Sequence, residues 1–282
     1  MPSPGPDAWR LAEHYRLAMQ DTPRRGPAGE RLGKGSGSSL EFQERRAYVP
    51  GDDVRHLDWG AYARTDQLMI RLYREEILPR VELIVDGSRS IAVDPRKAQL
   101  VTDLAGLFFS AGRAGGYHVR LILLGDRPDI IEFDRLQTTG LEFTGELSLQ
   151  DSLGAALPLL RPGTVRLFVS DFLSPHDAPG LVRPLAGRAG GLGLVQVLSQ
   201  EDAEPSEGRA LRLTDSETDE TLDMVLDSAT VELYKSRLHR LASGLESECR
   251  RAGGPFVTLN SDRLLADLCR EALTAEGLLI PA

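Results

Sequence analysis

The rhythm of apolar and polar positions changes near Arg80. After it, short apolar runs at 81–86, 118–124, 164–170, 193–198 and 256–259 read as strands. Between them lie stretches with helical spacing. One begins at Asp94-Pro95, a cap followed by a first-turn proline, and runs through Phe109 to the glycines at 112–116. Others cover 147–160, 178–189 and 229–252, and a last helix capped by Asp262 runs through Ala275. A short strand at 129–133 follows its predecessor so closely that it is expected antiparallel, at an edge. Strands that are apolar along nearly their whole length need cover on both sides. The chain is therefore expected to be α/β, a Rossmann-like, mostly parallel sheet with helices on both faces.

Before Arg80 the text differs. Trp9, Leu11, Ala12, Tyr15, Leu17, Ala18 and Met19 fall near helical spacing after Asp7, and residues 22–29 break any regular element. A glycine–serine loop at 33–39 lacks the phosphate-loop pattern, with Ala28 and Gly35 at two required positions, and reads as a connector. Leu40, Phe42 and Tyr48 predict one strand and Leu68, Ile70, Leu72 and Tyr73 another, with a tight Pro50-Gly51 turn after the first. The expected division is an N-terminal helix and linker (1–30), a β-rich region (31–79) and the sheet domain (80–282). Within the last, Leu211, Leu213, Leu222, Met224 and Leu226 alternate around 215–220, which predicts a hairpin inserted within 201–227.

Composition adds a charge argument. The 282 residues carry a net charge of −9, with 41% apolar and 27% charged residues, the balance of a folded chain. Ten acidic and two basic residues lie in 201–227, so the remaining 255 residues together carry −1. The acidity belongs to the hairpin, as a solvated projection or a docking surface for a basic partner. The overall sign argues against nucleic acid and anionic membranes as partners. Cys249 and Cys269 suit two buried thiols, with no disulfide framework or thiolate zinc cluster. No apolar leader opens the sequence and no run approaches the ~20 apolar residues of a membrane span, so a cytoplasmic location is expected.

In an open parallel sheet, chemistry gathers at the carboxyl ends of the strands. Two strands end directly in a carboxylate: one in Asp86-Gly87-Ser88-Arg89-Ser90, the other in Ser170-Asp171-Phe172. On neighbouring strands, Asp86, Ser88, Ser90 and Asp171 would form an oxygen-only set suited to Mg²⁺ or another divalent cation. The same residues serve equally well as helix caps. Lys97, near a helix start, is either a partner for Asp86 or Asp171 or a solvated residue.

Asp86-x-Ser88-x-Ser90 resembles the metal-ion-dependent adhesion motif (MIDAS) of von Willebrand factor A domains. Ser170-Asp171 is similar to that fold's later acidic loop, with Phe172 where glycine is usual. The resemblance implies a further ligand from a third loop, for which Thr144 and Ser148 are candidates outside the usual Gly-Gly-Thr context. Upstream, Tyr48-Val49-Pro50-Gly51-Asp52-Asp53-Val54-Arg55-His56-Leu57-Asp58-Trp59, followed by Ala63-Arg64, resembles the signature of the bacterial family called domain of unknown function 58. That resemblance implies a von Willebrand factor A-like domain and partnership with a MoxR-type AAA+ ATPase, or its client, in chaperone-like assembly. Physically, Asp52, Asp53 and Asp58 can pair with Arg46, Arg55 or Arg64, while Trp59 and Tyr48 offer apolar bodies, forming a structural clasp or a binding surface.

The expected function is a non-enzymatic interaction module in which a cation leaves one position for a partner's carboxylate. The alternatives are a Mg²⁺-dependent phosphohydrolase using Asp86 and a binding domain that needs no metal. Against the enzyme, Ser88 stands where haloacid-dehalogenase-type enzymes usually place a second, acid/base aspartate, and serine cannot act as a general acid near neutral pH.

Overall fold

The computed structural model describes residues 1–18, 40–75, 79–208, 210–214 and 221–282. The expected connector at 33–39 and the hairpin tip at 215–220 lie outside the described residues. The chain divides into two compact units, Arg25–Leu78 and a larger one of Met1–Arg24 with Pro79–Ala282. The N-terminal helix, expected to stand apart with its linker, thus belongs to the large unit.

That helix, α1 (Pro6–His14), is shorter than its spacing predicts and begins one residue before Asp7, which lies in its first turn. Tyr15–Leu17 leave the helix as strand β1, a difference considered below. In the small unit, β2 (Leu40–Ala47) and β3 (Met69–Glu75) pair antiparallel, as the two apolar runs predict. Between them Gly51 adopts φ 109°, the left-handed value a Pro-Gly turn requires, and the Asp52 amide donates to the Val49 carbonyl. A single turn of 3₁₀ helix (Val54–His56) and the unpredicted helix α2 (Trp59–Thr65) complete the unit.

The large unit then alternates. β4 (Arg80–Val85), the short α3 (Arg89–Ala92) and the long α4 (Pro95–Ala114) come first. β5 (His118–Leu123), β6 (Asp129–Ile131) and α5 (Phe133–Thr138) follow, the last where a strand end was expected. Next are α6 (Leu149–Ala156), β7 (Val165–Ser170), α7 (Ala178–Ala186), β8 (Gly191–Leu198) and α8 (Gln200–Ala203). The expected hairpin is present as β9 (Ala210–Thr214) and β10 (Thr221–Val225), paired antiparallel. α9 (Ser228–Arg251), β11 (Phe256–Asn260), α10 (Leu265–Leu268) and β12 (Leu279–Pro281) close the chain. Asp262 does not cap α10, which Leu264 precedes; it pairs with Arg96 instead.

Six strands form one sheet in the order β11-β8-β7-β4-β5-β6, parallel throughout except for β6 at the edge. Side-chain alternation along β4 divides the core. Leu83 and Val85 pack with α4, while Ile84 faces a second cluster with Phe168, Leu181 and Leu245. Each face is thus covered by helices, as the apolar strands demand. Glu82 is the exception in β4. It is buried between Arg120 of β5 (2.6 Å) and Arg166 of β7 (3.4 Å), and accepts from the Thr164 hydroxyl and the Arg161 amide. Cys249 and Cys269 are buried free thiols, as expected, and burial pushes both up to about 12.

Candidate cation site at the switch point

The chain leaves β4 for β5 on one side and later returns to lay β7 on the other side. The strand order therefore reverses at β4, and the crevice of such a sheet lies between the carboxyl ends of these two strands. They end in Asp86 and in Ser170-Asp171.

Tight backbone packing aims the first loop. A Cβ on Gly87 would fall 2.0 Å from the Leu124 carbonyl oxygen, so only glycine fits between Asp86 and Ser88. The loop also pairs with the stretch before α6: the Gly145 amide donates to Gly87 and the Arg89 amide to Gly145. Asp86 and Ser88 are both buried. One Asp86 oxygen accepts from the Ser88 amide (2.9 Å), the other from the Ser170 hydroxyl (2.6 Å). The Ser88 and Ser90 hydroxyls lie 2.9 Å apart.

From β7, Asp171 is equally buried. One of its oxygens accepts from the Leu173 amide, and the other takes the Lys97 ammonium at 2.9 Å. The same ammonium meets Asp202 at 3.0 Å. Gln196 holds the Asp171 carbonyl, and Thr258 in turn holds Gln196. Phe172 adopts φ 54° and is fully buried, its ring 5.1 Å from that of Phe168. The position that favours glycine by backbone thus holds a core aromatic.

The electrostatics divide the acids. Burial, then the charge of Asp171, push the Asp86 carboxyl up to about 6. Burial alone would depress the Lys97 ammonium, but Asp171 and Asp202 outweigh it and hold its pKa above the ordinary value. Among the described residues no cation pairs with Asp86.

Asp86, Ser88, Ser90 and Asp171 are therefore brought to the ends of adjacent strands. Thr144 is exposed, one residue before the Gly145 contact, beside Ala92, Pro95 and Leu141. Ser148 serves as the cap of α6. Among the described residues no three His, Cys, Asp or Glu side chains gather as a metal-holding group. The set here consists instead of two carboxylates and two hydroxyls. An all-oxygen set that includes a buried carboxylate with no counter-charge among the described residues fits a hard divalent cation. Sequence reasoning missed Ser170 as a donor to Asp86, and Asp202 altogether. The signal for Asp202 is Ser199-x-x-Asp202, a capping box directly after β8.

The signature residues lie in the small unit. Arg46 pairs with Asp52 (2.6 Å) and Arg55 with Asp53 (2.6 Å). Asp58 is buried, caps α2 through the Ala61 amide, and pairs with Arg45 (2.6 Å), a partner not expected from the sequence. Arg64 is exposed, and so is Trp59 at 64%. Tyr48, half-buried, donates its amide to the Leu68 carbonyl.

Residues 44–132, spanning the signature and the Asp86 motif, match the family model described as a protein of unknown function, DUF58. Uncharacterized proteins of Mycobacterium bovis and Mycobacterium tuberculosis are 26% identical over an alignment of 259 residues that covers 86% of this chain and 81% of theirs. Among solved structures, an aerotolerance-related membrane protein from Bacteroides fragilis aligns with a TM-score of 0.39 and 12% identity, over 71% of this chain and 98% of that one. A conserved hypothetical protein, BatB, from Bacteroides thetaiotaomicron aligns with a TM-score of 0.34 and 10% identity, over 64% and 90%. No helix among the described residues is long and apolar enough to cross a membrane.

Proposed function

We propose that this protein is a non-enzymatic interaction module with a von Willebrand factor A-like domain. In this reading a divalent cation, Mg²⁺ or a similar ion, assists binding at the switch point. Asp86, Ser88, Ser90 and Asp171 hold it, and it supplies a positive centre for a partner's carboxylate. The partner is an AAA+ ATPase of MoxR type or its client. The observation that supports the reading is the Asp86 carboxylate, buried, held by the Ser170 hydroxyl and paired with no cation among the described residues. A phosphohydrolase is less well supported. Both Asp86 oxygens already accept hydrogen bonds, and Ser88 offers no acid two residues on.

The test is capture of partners from a bacterial lysate by the native chain and by Asp86→Ala, each in Mg²⁺ and in EDTA. One AAA+ ATPase, or its client, should be retained only by the native chain in Mg²⁺. Retention unchanged by both EDTA and the substitution would overturn the reading.

A further inference from the structure

We propose that Lys97 is a tethered cation that sets the affinity of this site for a divalent ion. It competes for Asp171 while remaining anchored to Asp202. The inference rests on the cation site proposed above and concerns its regulation.

Lys97 lies in the first turn of α4, whose cap is Asp94. Lysine heads are almost never buried without a partner, yet this side chain is only 4% exposed. Its ammonium is divided between two acids of different standing. Asp171 belongs to the cation set. Asp202 does not, and it is fixed independently. It forms a reciprocal cap with Ser199, its side chain accepting from the Ser199 amide (3.0 Å) and its own amide donating to the Ser199 hydroxyl (3.1 Å). The Tyr234 hydroxyl donates to the Asp202 carbonyl at 2.7 Å. Asp202 can therefore keep the ammonium whatever Asp171 does.

A divalent ion that draws on Asp171 has to share that carboxylate with Lys97. Two cations near one buried acid repel each other strongly, because the surroundings screen them poorly. The ligand set alone would therefore bind more tightly than the native site does. Removing the ammonium also leaves Asp171 and Asp202 uncompensated, which adds to the attraction for a cation. Neutralising Asp202 acts in the opposite direction. The ammonium then leans wholly on Asp171, and the site loses one nearby negative charge.

Calorimetric titration of the full chain with Mg²⁺, and separately Mn²⁺, tests this in metal-free buffer. Lys97→Met, which keeps an apolar stem of similar length, should bind at least about tenfold more tightly than the native chain. Asp202→Asn should bind more weakly than native and provides the test should Lys97→Met fail to fold. Equal or weaker binding by Lys97→Met, or equal or tighter binding by Asp202→Asn, would overturn the role of Lys97. Native binding that is lost in Asp86→Ala would leave the cation site standing in that event. Absence of binding in both the native chain and Lys97→Met would overturn the site and this inference together.

Discussion

Asp86→Asn should make the metal-free protein more stable at neutral pH, by an amount that depends on pH. The Asp86 carboxyl titrates near 6 in the fold against an ordinary 3.8. Its folded-state pKa is raised, so its contribution to stability is fully present below about pH 4. That contribution is lost as the pH rises through 6, because the folded protein must then bury the charge. Two units correspond to about 3 kcal/mol at the upper bound, since Asp171 shares in the effect. Asparagine keeps the Ser88 bond through its oxygen and reverses the other, its NH₂ donating to the Ser170 hydroxyl oxygen, which also accepts from the Phe172 amide, as a protonated Asp86 would. The assay is urea unfolding of both proteins in EDTA between pH 4 and 8. The variant's advantage should be near zero at pH 4, grow through pH 6 and level off above 7. Saturating Mg²⁺ should then stabilise only the native chain, by about 2.7 kcal/mol at a hundred times its dissociation constant. A stability difference constant across the pH range would refute the reasoning.

Glu82→Ala leaves Arg120 and Arg166 without their shared buried carboxylate and should cost about 3–5 kcal/mol in urea unfolding; a loss below about 1 kcal/mol would count against that pairing. Phe172→Gly exchanges roughly 1–2 kcal/mol of left-handed backbone strain for the loss of a fully buried ring. Its thermal midpoint should therefore fall, and a rise would mean that the strain dominates. Gly87→Ala should collapse stability or dislodge the first loop, and an unaltered midpoint with unaltered Mg²⁺ affinity would contradict the close approach to Leu124. Asp58→Ala removes the cap of α2 and the partner of Arg45, costing about 1–2 kcal/mol. Faster amide exchange confined to 59–65 is the expected sign, and unchanged protection there would count against it.

Much of the large unit is legible because its strands are largely apolar runs, two of which stop at a carboxylate. Asp86 and Asp171 could be picked out for that reason, before the strand order showed their strands to be neighbours. Other features depend on partners distant in sequence. Tyr15 and Leu17 continue the helical spacing of α1, yet pairing with 279–281 draws them into a strand. α2 hides in a polar signature because its start is fixed by one capping carboxylate and not by an apolar stripe. The sequence allowed Lys97 a partner in Asp86 or Asp171; Asp202 carries only a local capping signal, and its pairing with Lys97 enters through the fold, where α8 follows β8 at the same edge as β7. Phe172 misleads in another way, since its side chain conceals a backbone conformation that glycine would have announced.

The pairing of β1 with β12 joins positions about 260 residues apart, and the small unit is threaded between its two halves in sequence. During synthesis, Tyr15–Leu17 emerge early and must wait for Leu279–Pro281. At ~5–20 residues per second that delay is on the order of ten seconds to a minute. The Arg25–Leu78 stretch emerges complete within that interval, while the larger unit still lacks its final strand. Nascent chains arrested before residue 279 should therefore leave β1 open to protease, and extension past 281 should close it.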